Sequence, residues 1–339
     1  MTGKERIDNI FSGKAIDRNA FWMGIPHKDS RAKFYKHFGV DNDMDLGIAI
    51  GNDMCPLIIG ADAWKHPDGQ TLFGLVPWDE RHSLSQDGYF AQCDSVSAVE
   101  RFPWPDPKFL DFSETITNAK KAHENGQTVF SGLWTCFFHD LCDLFGMENY
   151  FVKMHTDPDV VEAVTEHVMD YYLEGNRRCF EEMGGLIDVF FFGNDLGSQL
   201  DLLISPGYFD KFVLPHTKKA VELAKKYGYK VMLHSCGAVR KLIPKFIEIG
   251  IDALHPIQAK AAGMDAASLS REYKNDLVFV GGVDTQELLP FGAPEQVKEE
   301  VARLVSLFGD RLVVSPSHEA VLPVVSVENM IAMRDAAIK

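Results

Sequence analysis

Val231-Met232-Leu233-His234-Ser235-Cys236-Gly237 is an apolar run that ends in polar residues and a glycine, the pattern of a buried strand delivering side chains into a loop. In an extended chain, residues two apart share a side, so His234 and Cys236 can address one point in space. Imidazole nitrogen and thiolate sulfur are ligand types that zinc prefers. A second run of this kind, Leu312-Val313-Val314, ends in Ser315-Pro316-Ser317-His318 and offers a third ligand at long sequence range. An isolated H-x-C pair is more often a buried thiol beside a hydrogen-bonded imidazole than a metal site. The neighbouring segments raise its weight.

Upstream and downstream, short apolar runs alternate with longer amphipathic ones. Ala20–Met23, Thr128–Trp134, Leu186–Phe192, Lys230–Leu233, Ala253–Pro256, Leu277–Val280 and Leu312–Val314 read as strands. Pro158–Met183, Pro206–Tyr227, Val239–Ile249, Pro294–Phe308 and Val327–Ile338 read as helices, several opening on a proline and closing on a glycine. Strands separated by helices predict a parallel sheet, and continuous Val/Ile/Leu/Phe strands predict one buried on both faces. Asp195, His234, Cys236, Gln258, Asp284 and His318 all fall at or just past the C-terminal ends of these strands, where a (β/α)₈ barrel carries its site. The rival fold, a doubly wound open sheet, is weakened because the chain holds no GxGxxG or GxxxxGK[ST] loop. The expected fold is therefore an α/β (β/α)₈ TIM barrel. It should be a single domain over residues 1–339, with an N-terminal helical elaboration and an irregular insertion around 45–104. In that insertion Thr71–Val76 and Gly88–Cys93 suggest a hairpin.

Composition narrows the partners. The 339 residues carry a formal net charge of −15, with no cluster of Lys or Arg, which disfavours nucleic acid. The 46% hydrophobic content provides for a sizeable core, and no apolar run approaches the ~18 residues of a membrane span. Met1-Thr2-Gly3-Lys4-Glu5-Arg6 leads into a polar amphipathic stretch rather than a signal core, so a cytoplasmic location is expected. Six cysteines without a CxxC pair read as reduced thiols.

On its motifs the chain resembles the uroporphyrinogen decarboxylase superfamily, which includes zinc-dependent methyltransferases of corrinoid pathways. The likeness runs through Glu5-Arg6, Asp17-Arg18-Asn19-Ala20-Phe21, Gly193-Asn194-Asp195-Leu196-Gly197-Ser198-Gln199, Leu233-His234-Ser235-Cys236-Gly237, His255-Pro256-Ile257-Gln258, Gly281-Gly282-Val283-Asp284 and Ser315-Pro316-Ser317-His318. It implies a barrel with a funnel-like site at its C-terminal face. The decarboxylases of this superfamily grip their eight-carboxylate substrate with an early Arg-rich segment. Here residues 21–31 offer only Lys28 and Arg31, too little charge for so many anions.

The methyltransferase branch shares the H-x-C element. Its members that methylate the thiol of coenzyme M add a late cysteine where this chain has His318. The resemblance therefore implies one Zn²⁺ held by His234, Cys236 and His318, with a fourth position for water, substrate or Asp195. One thiolate in place of two would leave a more Lewis-acidic centre, suited to polarising an oxygen. The expected reaction is transfer of a methyl group from a small methoxylated, aromatic substrate to the Co(I) of a separate corrinoid protein. The cobalamin must arrive on that partner, because no D-x-H-x-x-G segment is present. Asp195 is the expected acid that protonates the leaving phenolate. Trp22, Met23, Trp134, Phe192, Gln258, Asp284 and Glu319 are the expected substrate contacts. The expected assembly is a homodimer. Three rivals stay open: corrinoid-to-thiol methyl transfer, decarboxylation of a smaller acid, and a non-catalytic barrel that binds a corrinoid protein.

Overall fold

The structure, a computed structural model, describes residues 1–76 and 86–339. Among the described residues eight parallel strands form one sheet: β1 (Ala20–Phe21), β2 (Met54–Ile59), β3 (Thr128–Leu133), β4 (Val189–Gly193), β5 (Lys230–His234), β6 (Ala253–Ile257), β7 (Val278–Val283) and β8 (Leu312–Pro316). They are ordered β1-β8-β7-β6-β5-β4-β3-β2, which brings the first two strands to the closing seam of a (β/α)₈ barrel.

At the seam a carboxylate stands in for a ladder. The Asp53 backbone N–H donates to the Phe21 carbonyl (2.9 Å), and the Asp53 carboxylate accepts the Phe21 N–H (2.8 Å). The Asn52 side chain accepts the Met23 N–H (2.9 Å). Behind them, Arg6 and Arg18 both bond the Asp53 carboxylate, the latter through two nitrogens at 2.7 and 3.0 Å, and Asp17 braces Arg6 at 2.7 Å. The motif residues Arg6, Asp17 and Arg18 thus close the barrel.

Strand alternation sorts the core into two layers. Trp22, Met54, Phe130, Phe191, Met232, Ala253, Val278 and Val313 fill the barrel, together with Ile7 and Ile10 from the helix Gly3–Ser12. That helix starts on a capping box, with Thr2 Oγ1 accepting the Glu5 N–H (3.1 Å) and Glu5 accepting the Thr2 N–H (2.8 Å). Phe21, Phe190, Phe192, Leu233 and Leu254 face outward onto the surrounding helices, the longest being Pro158–Met183. No helix of the described residues is long and apolar enough to cross a membrane.

Seven strands fall where the sequence places them, within a few residues. The eighth, β2, lies inside the stretch expected to be an irregular insertion. Pro56 disguises it, because a proline within a run argues against a strand. Here it pairs through β3 alone, at the seam, where a missing N–H is tolerated. The hairpin expected at Thr71–Val76 and Gly88–Cys93 does not form: Leu72–Gly74 is a 3₁₀ turn and residues 89–92 are turns. The segment 77–85 between them lies outside the described residues.

Candidate metal and substrate site

Register brings the site together. In the β4–β5 pair Gly193 lies opposite His234, and in the β5–β6 pair His234 lies opposite His255. His234 is therefore flanked at one level of the barrel by a residue without a side chain and by a second imidazole. Gly193 has to be small: a Cβ there would sit 2.6 Å from the Trp134 ring and 2.9 Å from the His234 Cβ. Past the strand, Gly237 adopts φ +89° against the backbone of Gly197, so the turn after Cys236 requires glycine.

The resulting cluster is dense in ligand atoms. His234 Nε2 lies 3.1 Å from Asp195 Oδ1 and 3.4 Å from Cys236 Sγ. Its Nδ1 lies 2.9 Å from His255 Nδ1 and 3.6 Å from Glu319 Oε2. Glu319 Oε2 also lies 3.5 Å from His318 Nδ1. Three overlapping sets have ligand atoms within 4.8 Å of one another: Asp195, His234 and Cys236; His234, His255 and Glu319; and Cys236, His318 and Glu319. Thiol, imidazole and carboxylate are a donor set that fits zinc. The expected trio is not one of these sets by itself. His234 and Cys236 share one, Cys236 and His318 another, and a carboxylate completes each. Were zinc bound here, Glu319 and Asp195 would offset part of the net positive charge expected of a His/Cys/His centre.

Proton affinities follow from this crowding. Burial would lower the pKa of His234, but Glu319, Cys236 and Asp195 outweigh it and hold it well above the ordinary imidazole value. Burial would raise the Asp195 carboxyl, but the nearby imidazoles of His139 and His234 keep it well below the usual carboxylate range. Burial raises the Cys236 thiol, with His234 partly opposing. His255 is pushed well below its ordinary value by burial and by the charge of His234. In the metal-free protein Asp195 is therefore an anion, which accepts the Cys236 N–H at 2.8 Å and faces His139 Nε2 at 3.7 Å. It is poorly suited to the proton-donor role expected of it.

A metal must displace the protons of His234 and Cys236, so affinity should fall on the acid side. Each displaced proton changes it by about tenfold per pH unit. Because both groups hold their protons above their ordinary values, zinc affinity measured by chelator competition is expected to rise steeply through neutrality and to go on rising on the alkaline side. A flat profile would remove these two residues as ligands.

Beside the cluster lies a cavity of about 630 Å³, lined among others by Trp64, Trp134, Tyr171, Tyr172, Asp195, His234 and Glu319. Trp134 lines this cavity and packs with its ring 5.4 Å from that of His234. Trp22 and Met23 are fully buried and line a different cavity, at the β1–β2 seam. Phe192 points outward onto Phe190; the inward member of that run is Phe191, 5.7 Å from the His255 ring. Gln258 accepts the Gly237 N–H (2.6 Å) and braces the turn after Cys236. Asp284 accepts the N–H groups of Gln286, Glu287 and Leu288 and shapes its own loop. The parity of β4 and the loop roles of Gln258 and Asp284 cannot be told from residue type. The sequence does not single out His139 and His255 as site residues. Their positions after β3 and in β6 place them at the site, but a lone histidine gives no signal until register is known.

Comparisons with known proteins bear on the family and the fold. A family profile described as Uroporphyrinogen decarboxylase (URO-D) matches residues 89–339. The chain is 28% identical over 155 residues to a methylated-thiol–coenzyme M methyltransferase of Methanosarcina mazei, covering 45% of this chain and 38% of that one. It is 24% identical over 149 residues to a methylcobamide:CoM methyltransferase of the same organism, covering 44% and 41%. The matches thus span about two fifths of the length of these curated relatives. A solved methyltransferase structure from Methanosarcina mazei superposes with a TM-score of 0.65 at 15% identity, covering 99% of this chain and 98% of that one, a likeness of fold.

Proposed function

The chain belongs to the uroporphyrinogen decarboxylase family, and from that premise we propose that it is a zinc-dependent methyltransferase moving a methyl group from a small methoxylated aromatic compound to the cobalt of a separate corrinoid protein. The observation that carries this reading is the His/Cys/carboxylate cluster opening onto a cavity walled by Trp64, Trp134, Tyr171 and Tyr172. Zinc, when bound, would supply a Lewis acid at the ether oxygen. His234, Cys236 and His318 would hold it, with Asp195 or Glu319 beside them. The aromatic walls would stack on a small ring and exclude water around the methyl group. Asp195, as an anion 3.7 Å from His139 Nε2, would orient that imidazole at the cavity wall, from which a proton could pass to the departing phenolate.

The described lining of the cavity offers no Lys or Arg to a porphyrinogen's carboxylates. The two cations of residues 21–31 lie on the helix Lys28–Phe38, and Arg31 is paired with Asp43 at 2.7 Å.

A second reading, corrinoid-to-thiol transfer, is favoured by the names of the two relatives, both of which act with coenzyme M. Assaying zinc-loaded protein with reduced corrinoid protein against a panel of methoxybenzenes, and in parallel with methylated corrinoid and thiols, separates the two. Methyl transfer from at least one ether, with no turnover of uroporphyrinogen, is expected. Methylation of thiols with every ether untouched would establish the second reading. Coproporphyrinogen formed at enzymatic rates would refute both.

A further inference from the structure

His234 and His255 face each other through like atoms. The two Nδ1 nitrogens are 2.9 Å apart, with the rings 5.0 Å between centroids and inclined at 43°. Both rings are buried, 3% and 0% exposed. At that separation one proton lies between the nitrogens, donated by one ring and accepted by the other. Which ring donates decides what the far nitrogen of His234 can do. His234 Nε2 is the atom beside Cys236 Sγ and Asp195. It can present a lone pair there only if the proton of the neutral ring sits on Nδ1. Two acceptors face that N–H, and Glu319 Oε2, at 3.6 Å, is beyond hydrogen-bonding distance. His255 Nδ1 is within it.

We propose that His255 is a positioning residue: it accepts the Nδ1–H of His234 and so turns the Nε2 lone pair of His234 toward Cys236 as a metal ligand. The inference rests on the metal reading above. Its cost is visible in the structure. An accepting Nδ1 leaves the proton of His255 on Nε2, and that buried atom has no hydrogen-bond partner among the described residues. The rings of Trp22 and Phe191 flank it, at 5.2 and 5.7 Å between centroids. A buried N–H without a partner is destabilising by roughly 1–3 kcal/mol, so the arrangement is not explained by stability. Orientation of a ligand imidazole explains it, because such rings regularly give their second N–H to a fixed acceptor. The β5–β6 register, which sets His234 opposite His255, makes that acceptor rigid.

Two measurements test this. The first needs no metal: ¹⁵N imidazole shifts of the metal-free protein should show His255 bare at Nδ1 and protonated at Nε2. A His255 protonated at Nδ1 overturns the proposal. The second compares His255→Phe with His255→Asn, whose amide oxygen stands near the place of Nδ1. His255→Phe should weaken zinc by about 10–100-fold in chelator competition and shift the absorption bands of the Co²⁺-substituted protein. His255→Asn should restore most of the affinity and the wild-type spectrum. Equal affinity and spectrum in His255→Phe would refute the positioning role while leaving the metal site standing. Equal losses in both variants would also refute it, since the acceptor would then be irrelevant. Wild-type protein that binds neither zinc nor cobalt would remove the metal reading itself.

Discussion

Cys236→Ala is expected to abolish stoichiometric zinc binding and to lower methyl transfer by more than the ~10–100-fold that loss of an outer partner costs a metal site. Cys236 belongs to two of the three ligand sets, so its removal leaves neither intact. The fold should survive. The Cys236 side chain lies past the end of β5, and the turn beyond it is held by backbone and by Gln258 rather than by the thiol. Metal analysis and turnover should therefore collapse together while the far-ultraviolet circular dichroism is unchanged. Retained zinc with full turnover would show that the cluster is a hydrogen-bonded core and nothing more.

The second large effect is on stability and lies at the opposite end of the barrel. Asp53→Ala should destabilise the chain by about 3–5 kcal/mol, the usual consequence of removing one partner from a buried charge pair. Arg6, 3% exposed, would lose one of its two carboxylate partners, and the Phe21 N–H would lose its acceptor at the seam. Conservative Asp53→Asn keeps a carbonyl for Phe21 but not the charge for Arg6 and Arg18, so it should fall between wild type and Asp53→Ala. Urea midpoints of the three proteins test this order. Equal midpoints would mean that the seam is held by apolar packing alone.

These two residues mark what the sequence makes legible. Apolar runs ending in polar residues locate most of the strands and put His234, Cys236, Asp195 and His318 at one end of them. Arg6, Asp17 and Arg18 stand out as motif residues, but their partner Asp53 sits in a stretch that looks irregular, and nothing local announces a carboxylate replacing a β-ladder. The same limit hides His255. Its importance lies in sitting opposite His234 across two strands, and register is a property of pairing, not of either strand alone. Phe191 and Phe192 differ only in parity, which a shift of one residue in the strand inverts. Glu319 was legible as a neighbour of His318, yet its approach to His234 depends on how the loop after β8 folds back over the barrel mouth. A count of the three ligands expected from the sequence leaves out the carboxylates of Asp195 and Glu319, which stand beside His234.

The claim that most needs testing is that zinc in this cluster drives methyl transfer from an ether. Titrating zinc into metal-free protein, with a methoxybenzene and Co(I) corrinoid protein present, reads it directly through the rate at which cobalt is methylated. The rate should rise in proportion to added zinc and level off at one zinc per chain. No ether-dependent methylation of cobalt at any zinc level would contradict the account, as would a rate that is already full before zinc is added.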